Sequence, residues 1–213
     1  MSEFKVGKIN KKIIHSDILN RDVTLSVYLP EDYTNLFKYQ LIFCFDGLDF
    51  FRFGRIQRIY EQLREEQSIQ RAIIVGFHYE DVEKRREEFH PSGSRSNLTI
   101  KAMGKEILPY IDATFPTYKV GNTRLLIGDS LAGSIALIWH AIGLEEADFI
   151  LPTNGKRANF LTPNRELNQL IKEDNIEYFY KEFNGGHHWK SWKPLLGDIL
   201  LQFLGDPING KYV

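Results

Sequence analysis

The stretch Arg124-Leu125-Leu126-Ile127-Gly128-Asp129-Ser130-Leu131-Ala132-Gly133 decides how this chain is read. Its apolar run suits a short buried strand, which breaks at Gly128-Asp129-Ser130 and resumes with small residues. A nucleophilic serine is set on a sharp strand-to-helix turn in this way, because strand and helix approach closely only where the flanking residues are small. Gly128, Ala132 and Gly133 meet that demand, with Ala132 standing where the usual Gly-x-Ser-x-Gly pattern has its last glycine. A lone Gly-x-Ser is also an ordinary helix cap, so the motif needs support from the rest of the chain.

Working outward, Gln40 to Phe45 and Ala72 to Phe77 are continuous apolar runs, the pattern of parallel strands covered on both faces. Val6 to His15 and Val23 to Leu29 alternate instead, which predicts an antiparallel pair around Ser16 to Arg21, with Pro30 ending the second strand. Ile56, Ile59, Tyr60 and Leu63 share one helix face, as do Ile100, Met103, Ile107 and Ile111. Alternating strands and helices predict an α/β fold, a mostly parallel central sheet with antiparallel N-terminal strands and flanking helices. Beyond the elbow, Ile138 to Gly143 and Ile176 to Phe183 read as buried strands. Between them Thr162-Pro163 supplies a cap and a first-turn proline for a helix with Leu167, Leu170 and Ile171 on its apolar face. A closing helix carries Trp192, Leu195, Leu196, Ile199, Leu200, Phe203 and Leu204, and the charge run Glu80 to Glu88 reads as a solvated loop or helical turn.

The 213 residues, 43% hydrophobic and 26% charged, suit one globular domain over 1–213. With 27 Lys and Arg against 28 Asp and Glu there is no net field to draw nucleic acid or an anionic membrane, and neither partner is expected. The start Met-Ser-Glu-Phe-Lys-Val-Gly-Lys lacks the apolar core of a signal peptide, and no apolar run reaches membrane-spanning length, so a cytoplasmic location is expected. Cys44, the single cysteine, falls in a strand and reads as a core residue. His15, His78, His90 and His140 lack the clustered spacing of a zinc site, and no metal or other cofactor is expected.

A serine hydroxyl is a poor nucleophile until a base takes its proton, and the base needs a carboxylate to fix its tautomer. His187 and His188 alone follow both the elbow and a later strand, in Asn184-Gly185-Gly186-His187-His188-Trp189; the paired glycines favour His187, with His188 the fallback. The acid is sought after Gly143, in Leu144-Glu145-Glu146-Ala147-Asp148, where position favours Glu146, then Asp148, then Glu145. The oxyanion needs two preorganised N–H donors. Leu131, next after the serine, offers one, and Leu48, in the turn Asp46-Gly47-Leu48-Asp49 after the third strand, offers the other.

Taken together, the chain resembles the esterase family of α/β-hydrolases that includes enterochelin-type siderophore esterases, S-formylglutathione hydrolase and the mycolyltransferases. The resemblance runs through Tyr28-Leu29-Pro30, Phe45-Asp46-Gly47, Arg86-Glu87-Glu88-Phe89-His90-Pro91, Glu106-Ile107-Leu108-Pro109-Tyr110-Ile111-Asp112, the elbow, and Gly185-Gly186-His187-His188-Trp189 with Trp192 beyond. It implies an α/β-hydrolase fold and a triad of Ser130, Glu146 and His187. One departure stands out: seven residues, Leu131 to Leu137, occupy a place where the family has a helix, a strand and a further helix, a shortfall of roughly thirty residues. Either the sheet has lost a strand, or the elbow helix runs on through Ile138 to Ile142 and displaces the acid, or the segment is missing from a working protein.

The expected activity is that of a serine esterase on a small-molecule ester, with Phe50, Phe51, Phe53, Trp189 and Trp192 as candidate walls of an apolar pocket. The alternative is a non-catalytic binding or scaffold protein whose shortened region misaligns the triad. Acyl transfer to an alcohol would share the acyl-enzyme. The closing helix can pack on the sheet or pair with a second copy of the chain.

Overall fold

Strands β1 (Lys8–Ser16) and β2 (Arg21–Leu29) pair antiparallel from Lys8↔Leu29 to Ser16↔Arg21, as the two alternating runs require. The computed structural model describes residues 5–66, 69–135, 139–150, 155–173 and 179–205. The turn between the two strands is pinned from a distance: Glu106 hydrogen-bonds the Ser16 hydroxyl and accepts the Ile18 N–H at 3.0 Å.

The continuous apolar runs become β3 (Gln40–Cys44) and β4 (Ala72–Phe77), in which every residue is buried. They lie parallel, β5 (Arg124–Ile127) adds in parallel to β3, and β2 joins β4 antiparallel, giving the order β1-β2-β4-β3-β5. Side chains alternate across this sheet into two cores. Leu41, Phe43 and Phe45 meet helices α3 (Val82–Phe89), α4 (Ser96–Ala102) and α5 (Leu108–Thr114) through Phe89, Ala102 and Ile111. Ile42, Cys44 and Ile127 meet α2 (Ile56–Glu66) and α7 (Trp189–Leu204) through Tyr60, Leu196 and Leu200. Cys44 is a core residue, as expected. The third strand ends on the one-turn helix α1 (Gly47–Asp49), followed by a wider helical turn, Phe50–Gly54.

The charge run Glu80 to Glu88 is not merely solvated. Asp81 caps α3 by accepting the Lys84 N–H at 2.8 Å, and the helix turns Glu88 and Phe89 inward until neither is exposed. Arg21 meets the buried Glu88 carboxylate with Nε at 3.0 Å and Nη2 at 2.7 Å. A run of charges on a short helix alternates faces, so its polarity hid a buried pair. Helix α6 (Leu161–Glu173) likewise starts before Thr162: the Asn159 side chain accepts the Thr162 N–H at 2.9 Å and does the capping assigned to the threonine.

After β5 the chain makes a short tight helix, Ser130–Ile135, and is extended again by β6 (Trp139–Gly143), so the elbow helix does not run on through Ile142. β6 pairs in parallel with β9 (Phe179–Phe183), and among the described residues no strand joins this pair to β5. Of the three forms the shortening could take, the continuing helix is thereby corrected. Leu137, Ile138 and the expected strand start at Ile176 lie outside the described residues. Between β6 and β9 come a helical turn, Leu144–Asp148, the two-residue strands β7 (Phe149–Ile150) and β8 (Arg157–Ala158), and α6.

Removing Arg21 takes both close guanidinium bonds from the buried Glu88 carboxylate and leaves it the more distant Arg95 Nε, 3.8 Å from its Oε1. Arg21→Ala should therefore lose about 3–5 kcal/mol of stability, read from urea unfolding against the unsubstituted protein.

Candidate active site

The elbow closes because Gly128 has no side chain: a Cβ there would lie 2.2 Å from the Ala132 carbonyl oxygen. The Ala132 N–H donates to the Asp129 carbonyl at 2.9 Å, and Ser130 is held at φ 52°, a left-handed conformation costly for a residue with a side chain. Ser130 is exposed at the turn's apex.

His187 comes from the loop between β9 and α7. A Cβ on Gly143 would lie 2.1 Å from the Gly185 carbonyl oxygen, so the end of β6 and the histidine loop are in backbone contact. The Ser191 hydroxyl accepts the Gly186 N–H at 3.2 Å, and His188 caps α7 by accepting the Ser191 N–H at 3.2 Å. His188 is thus occupied by the helix start, while His187 points the other way. Its Nε2 lies 2.7 Å from Ser130 Oγ and its Nδ1 lies 2.8 Å from Glu146 Oε2. Phe160 stacks on the imidazole at 5.8 Å between centroids and Trp192 meets it edge-on at 4.9 Å, which leaves the ring little room to turn.

Among the three carboxylates, Glu146 reaches the histidine. It is 3% exposed, its Oε1 accepts the Gly143 N–H at 3.2 Å, and its carbonyl accepts the Phe160 N–H at 2.9 Å. Asp148 instead pairs with Arg157 at the surface. Glu145 lies against Gly186, its Oε2 3.0 Å from where a Cβ on that glycine would be. The structure thus brings Ser130, His187 and Glu146 together and leaves His188, Asp148 and Glu145 outside the chain of contacts.

The turn carrying Leu48 sits beside the end of β4. A Cβ on Gly47 would fall 2.2 Å from the Gly76 Cα, so only glycine permits the approach. Asp46 precedes α1 at φ 54° and its side chain makes no capping bond, while the first N–H groups of a helix have no partner within it. Leu48 is 37% exposed and Leu131 is partly buried against the core.

Sequence reasoning missed the group that ties this turn to the elbow. Arg85 from α3 grips the buried Asp46 carboxylate, Nε lying 2.8 and 2.9 Å from its two oxygens, and extends Nη2 to the Asp129 carbonyl at 3.3 Å. Burial, and then the neighbouring Asp46, push the Asp129 carboxyl up to about 8. Burial also raises Asp46, with Arg85 opposing. The one hint in the sequence is an aspartate directly before each of the two turns, Asp46 before Gly47 and Asp129 before Ser130.

Of the candidate pocket walls, Phe50 and Phe51 belong to the α2–α7 core, Phe50 packing edge-on against Trp189 at 5.0 Å; Phe53 is 55% exposed. Phe50 and Phe51 are corrected to core residues because the wide turn after α1 rotates them inward. Among the described residues no group of three or more His, Cys, Asp or Glu side chains could hold a metal ion, and no helix is long and apolar enough to cross a membrane.

A mixed sheet covered on both faces, a strained serine at the end of a strand, and a histidine and acid from later strands define an α/β-hydrolase. Residues 16–139 and 138–203 match the family described as "Putative esterase"; the chain belongs to that family and is by class a carboxylic ester hydrolase. An uncharacterized Bacillus subtilis (strain 168) protein, YjcH, is 35% identical over 238 positions covering 94% of this chain and 99% of its own. Since 94% of 213 residues is about 200, about 38 of those positions have no counterpart here, and the two parts of the family match meet at residues 138 and 139. The enterobactin esterase FES of Shigella flexneri superposes with a TM-score of 0.72 at 16% identity, over 92% of this chain and 58% of that one. This chain thus spans little more than half the length of that enzyme. A ferulic acid esterase (TM-score 0.72, 16% identity, 93% and 97% covered) and the BES protein of Bacillus cereus (0.72, 17%, 97% and 98%) share the fold over nearly their whole lengths.

Gly128→Ala should destabilise the protein by about 1–3 kcal/mol in urea unfolding, because the new methyl meets backbone. Gly133→Ala, with only the Gly128 carbonyl oxygen at 3.5 Å from its Cβ, should stay within about 0.5 kcal/mol.

Proposed function

We propose that the protein hydrolyses a small-molecule carboxylic ester with Ser130 as nucleophile, His187 as general base and acid, and Glu146 as the carboxylate that orients it. The observation that carries this reading is the unbroken relay Ser130 Oγ–His187 Nε2–His187 Nδ1–Glu146 Oε2, at 2.7 and 2.8 Å. Ser130 Oγ attacks the ester carbonyl while its proton passes to His187 Nε2, and Glu146 stabilises the resulting imidazolium. The carbonyl oxygen becomes an oxyanion held by the N–H groups of Leu48 and Leu131, each such donor stabilising the intermediate by about 3–4 kcal/mol. Collapse expels the alcohol, which takes the proton from His187, and leaves an acyl group on Ser130. A water then gives its proton to His187 and attacks the acyl carbon, releasing the acid and restoring the serine.

The exposure of Ser130 supports water as the acceptor over an alcohol, since acyl transfer needs water kept out. The scaffold alternative requires a misaligned triad, and the two short hydrogen bonds argue against it.

Purified protein treated with a fluorophosphonate should gain one adduct, located by mass spectrometry on the peptide containing Ser130. Hydrolysis of short-chain p-nitrophenyl esters should fall at least about 10⁴-fold in Ser130→Ala and about 10³–10⁴-fold in Glu146→Gln. An adduct elsewhere, or hydrolysis that survives Ser130→Ala, would overturn the assignment.

A further inference from the structure

We propose that Asp46, Arg85 and Asp129 form a clasp that holds one shared proton and positions both oxyanion donors, so that the clasp, separately from the triad, sets the alkaline limit of catalysis. The proposal rests on the reading of Ser130 as nucleophile for its catalytic consequence, but not for the proton itself.

The placement is the first argument. Asp46 lies two residues before Leu48 and Asp129 two residues before Leu131, so each donor follows directly from one carboxyl of the pair. Arg85 spans them, bonding the Asp46 side chain and the Asp129 backbone. The clasp therefore couples the end of β3 to the end of β5 at the point where both must present N–H groups to one oxygen.

The second argument is the charge count. Arg85 bonds the Asp46 carboxylate and the Asp129 carbonyl, so the two buried carboxyl groups sit beside one cation, and like charges placed so close favour keeping a proton on one of them. The ionisable groups acting on Asp129 are Asp46 from the turn after β3, Asp49 from α1, Arg85 from α3, Tyr79 from the segment after β4 and the buried Cys44 thiol from β3. Arg85 is the cation among them, and Asp46 already holds its Nε. One guanidinium with one carboxylate is neutral; a second carboxylate would be an uncompensated buried charge. Asp129 Oδ1 is buried with no hydrogen-bond partner, which a neutral acid tolerates better than an anion. Its elevation to about 8 agrees with this count.

When Asp129 loses the proton, two carboxylates repel across the seam between the oxyanion turn and the elbow, and a negative charge stands behind the donors meant for an anion. Turnover should fall while substrate affinity changes little. The same ionisation acts on stability. The folded state raises Asp129 above its unfolded value, so the proton's contribution is complete below the unfolded value, near 4, and is lost as pH rises through about 8.

The test compares the protein with Asp129→Asn, whose amide is neutral like the acid and cannot ionise, and with Asp46→Asn, which frees Arg85 for an ionised Asp129. For p-nitrophenyl acetate, kcat should drop about tenfold or more between pH 7.5 and 9.5 in the unsubstituted protein, with KM nearly constant. In each variant the ratio of kcat at the two pH values should move to within about twofold of one. Independently of turnover, the Tm gained by Asp129→Asn should widen from pH 5 to pH 8 and level off above. An alkaline limb unchanged in Asp129→Asn would overturn the catalytic role. A Tm difference that does not vary with pH would overturn the shared proton, even in a protein that proved to have no esterase activity. A pH-dependent Tm gap in a protein without turnover would instead leave the proton standing and contradict the hydrolytic reading.

Discussion

The hydrogen bond between Ser130 Oγ and His187 Nε2 is the contact on which the site depends, because its two sides come from different sheets. Ser130 leaves the last strand of the five-stranded sheet, and His187 and Glu146 leave the separate β6–β9 pair. No backbone ladder between the sheets enforces their alignment among the described residues, so side-chain packing must. Helix α7, which begins beside His187, does most of this. Leu196, Leu200 and Leu204 pack on the face of the main sheet that carries Ile42, Cys44 and Ile127. The far end of α7 is tied by the Gln70 N–H to the Leu204 carbonyl at 2.7 Å. Near its start Trp189 packs on Phe50, just behind the turn carrying Leu48. His187 is thereby referenced to the same core as Ser130.

Close backbone approaches supply the precision that packing alone would not. Gly47 against Gly76, Gly128 against Ala132 and Gly143 against Gly185 each bring two chain segments nearer than any side chain permits. Each lies next to an element of the proposed site: the turn carrying Leu48, the elbow, and the contact between the turn bearing Glu146 and the loop bearing His187. A shape change of one methyl group at these places would be felt at the reacting atom.

Much of this was legible in the sequence for reasons that are physical. β3 and β4 announce themselves because strands covered on both faces cannot alternate. The elbow and the histidine loop are legible because each holds a glycine, Gly128 or Gly185, where a side chain would meet its neighbours. Glu146 followed from position, and the structure supplies the reason: from that distance its carboxylate can turn back to the Gly143 N–H and still reach His187. What stayed hidden depends on contacts across long separations. Glu88 finds Arg21 across 67 residues and Arg85 finds Asp46 across 39, neither with any local signature in a run of alternating charges. Phe50 and Phe51 looked like pocket walls because a sequence does not say which way a wide helical turn faces.

The central claim is that a chain with so short a connection after the elbow still assembles a working relay and oxyanion site. The most direct measurement is a crystal structure of the protein after reaction with a small fluorophosphonate. The account predicts phosphorus bonded to Ser130 Oγ, the phosphonyl oxygen within about 2.7–3.1 Å of the Leu48 and Leu131 nitrogens, and His187 still bonded to Glu146. A phosphonyl oxygen facing solvent, or an imidazole turned away from Glu146, would contradict it.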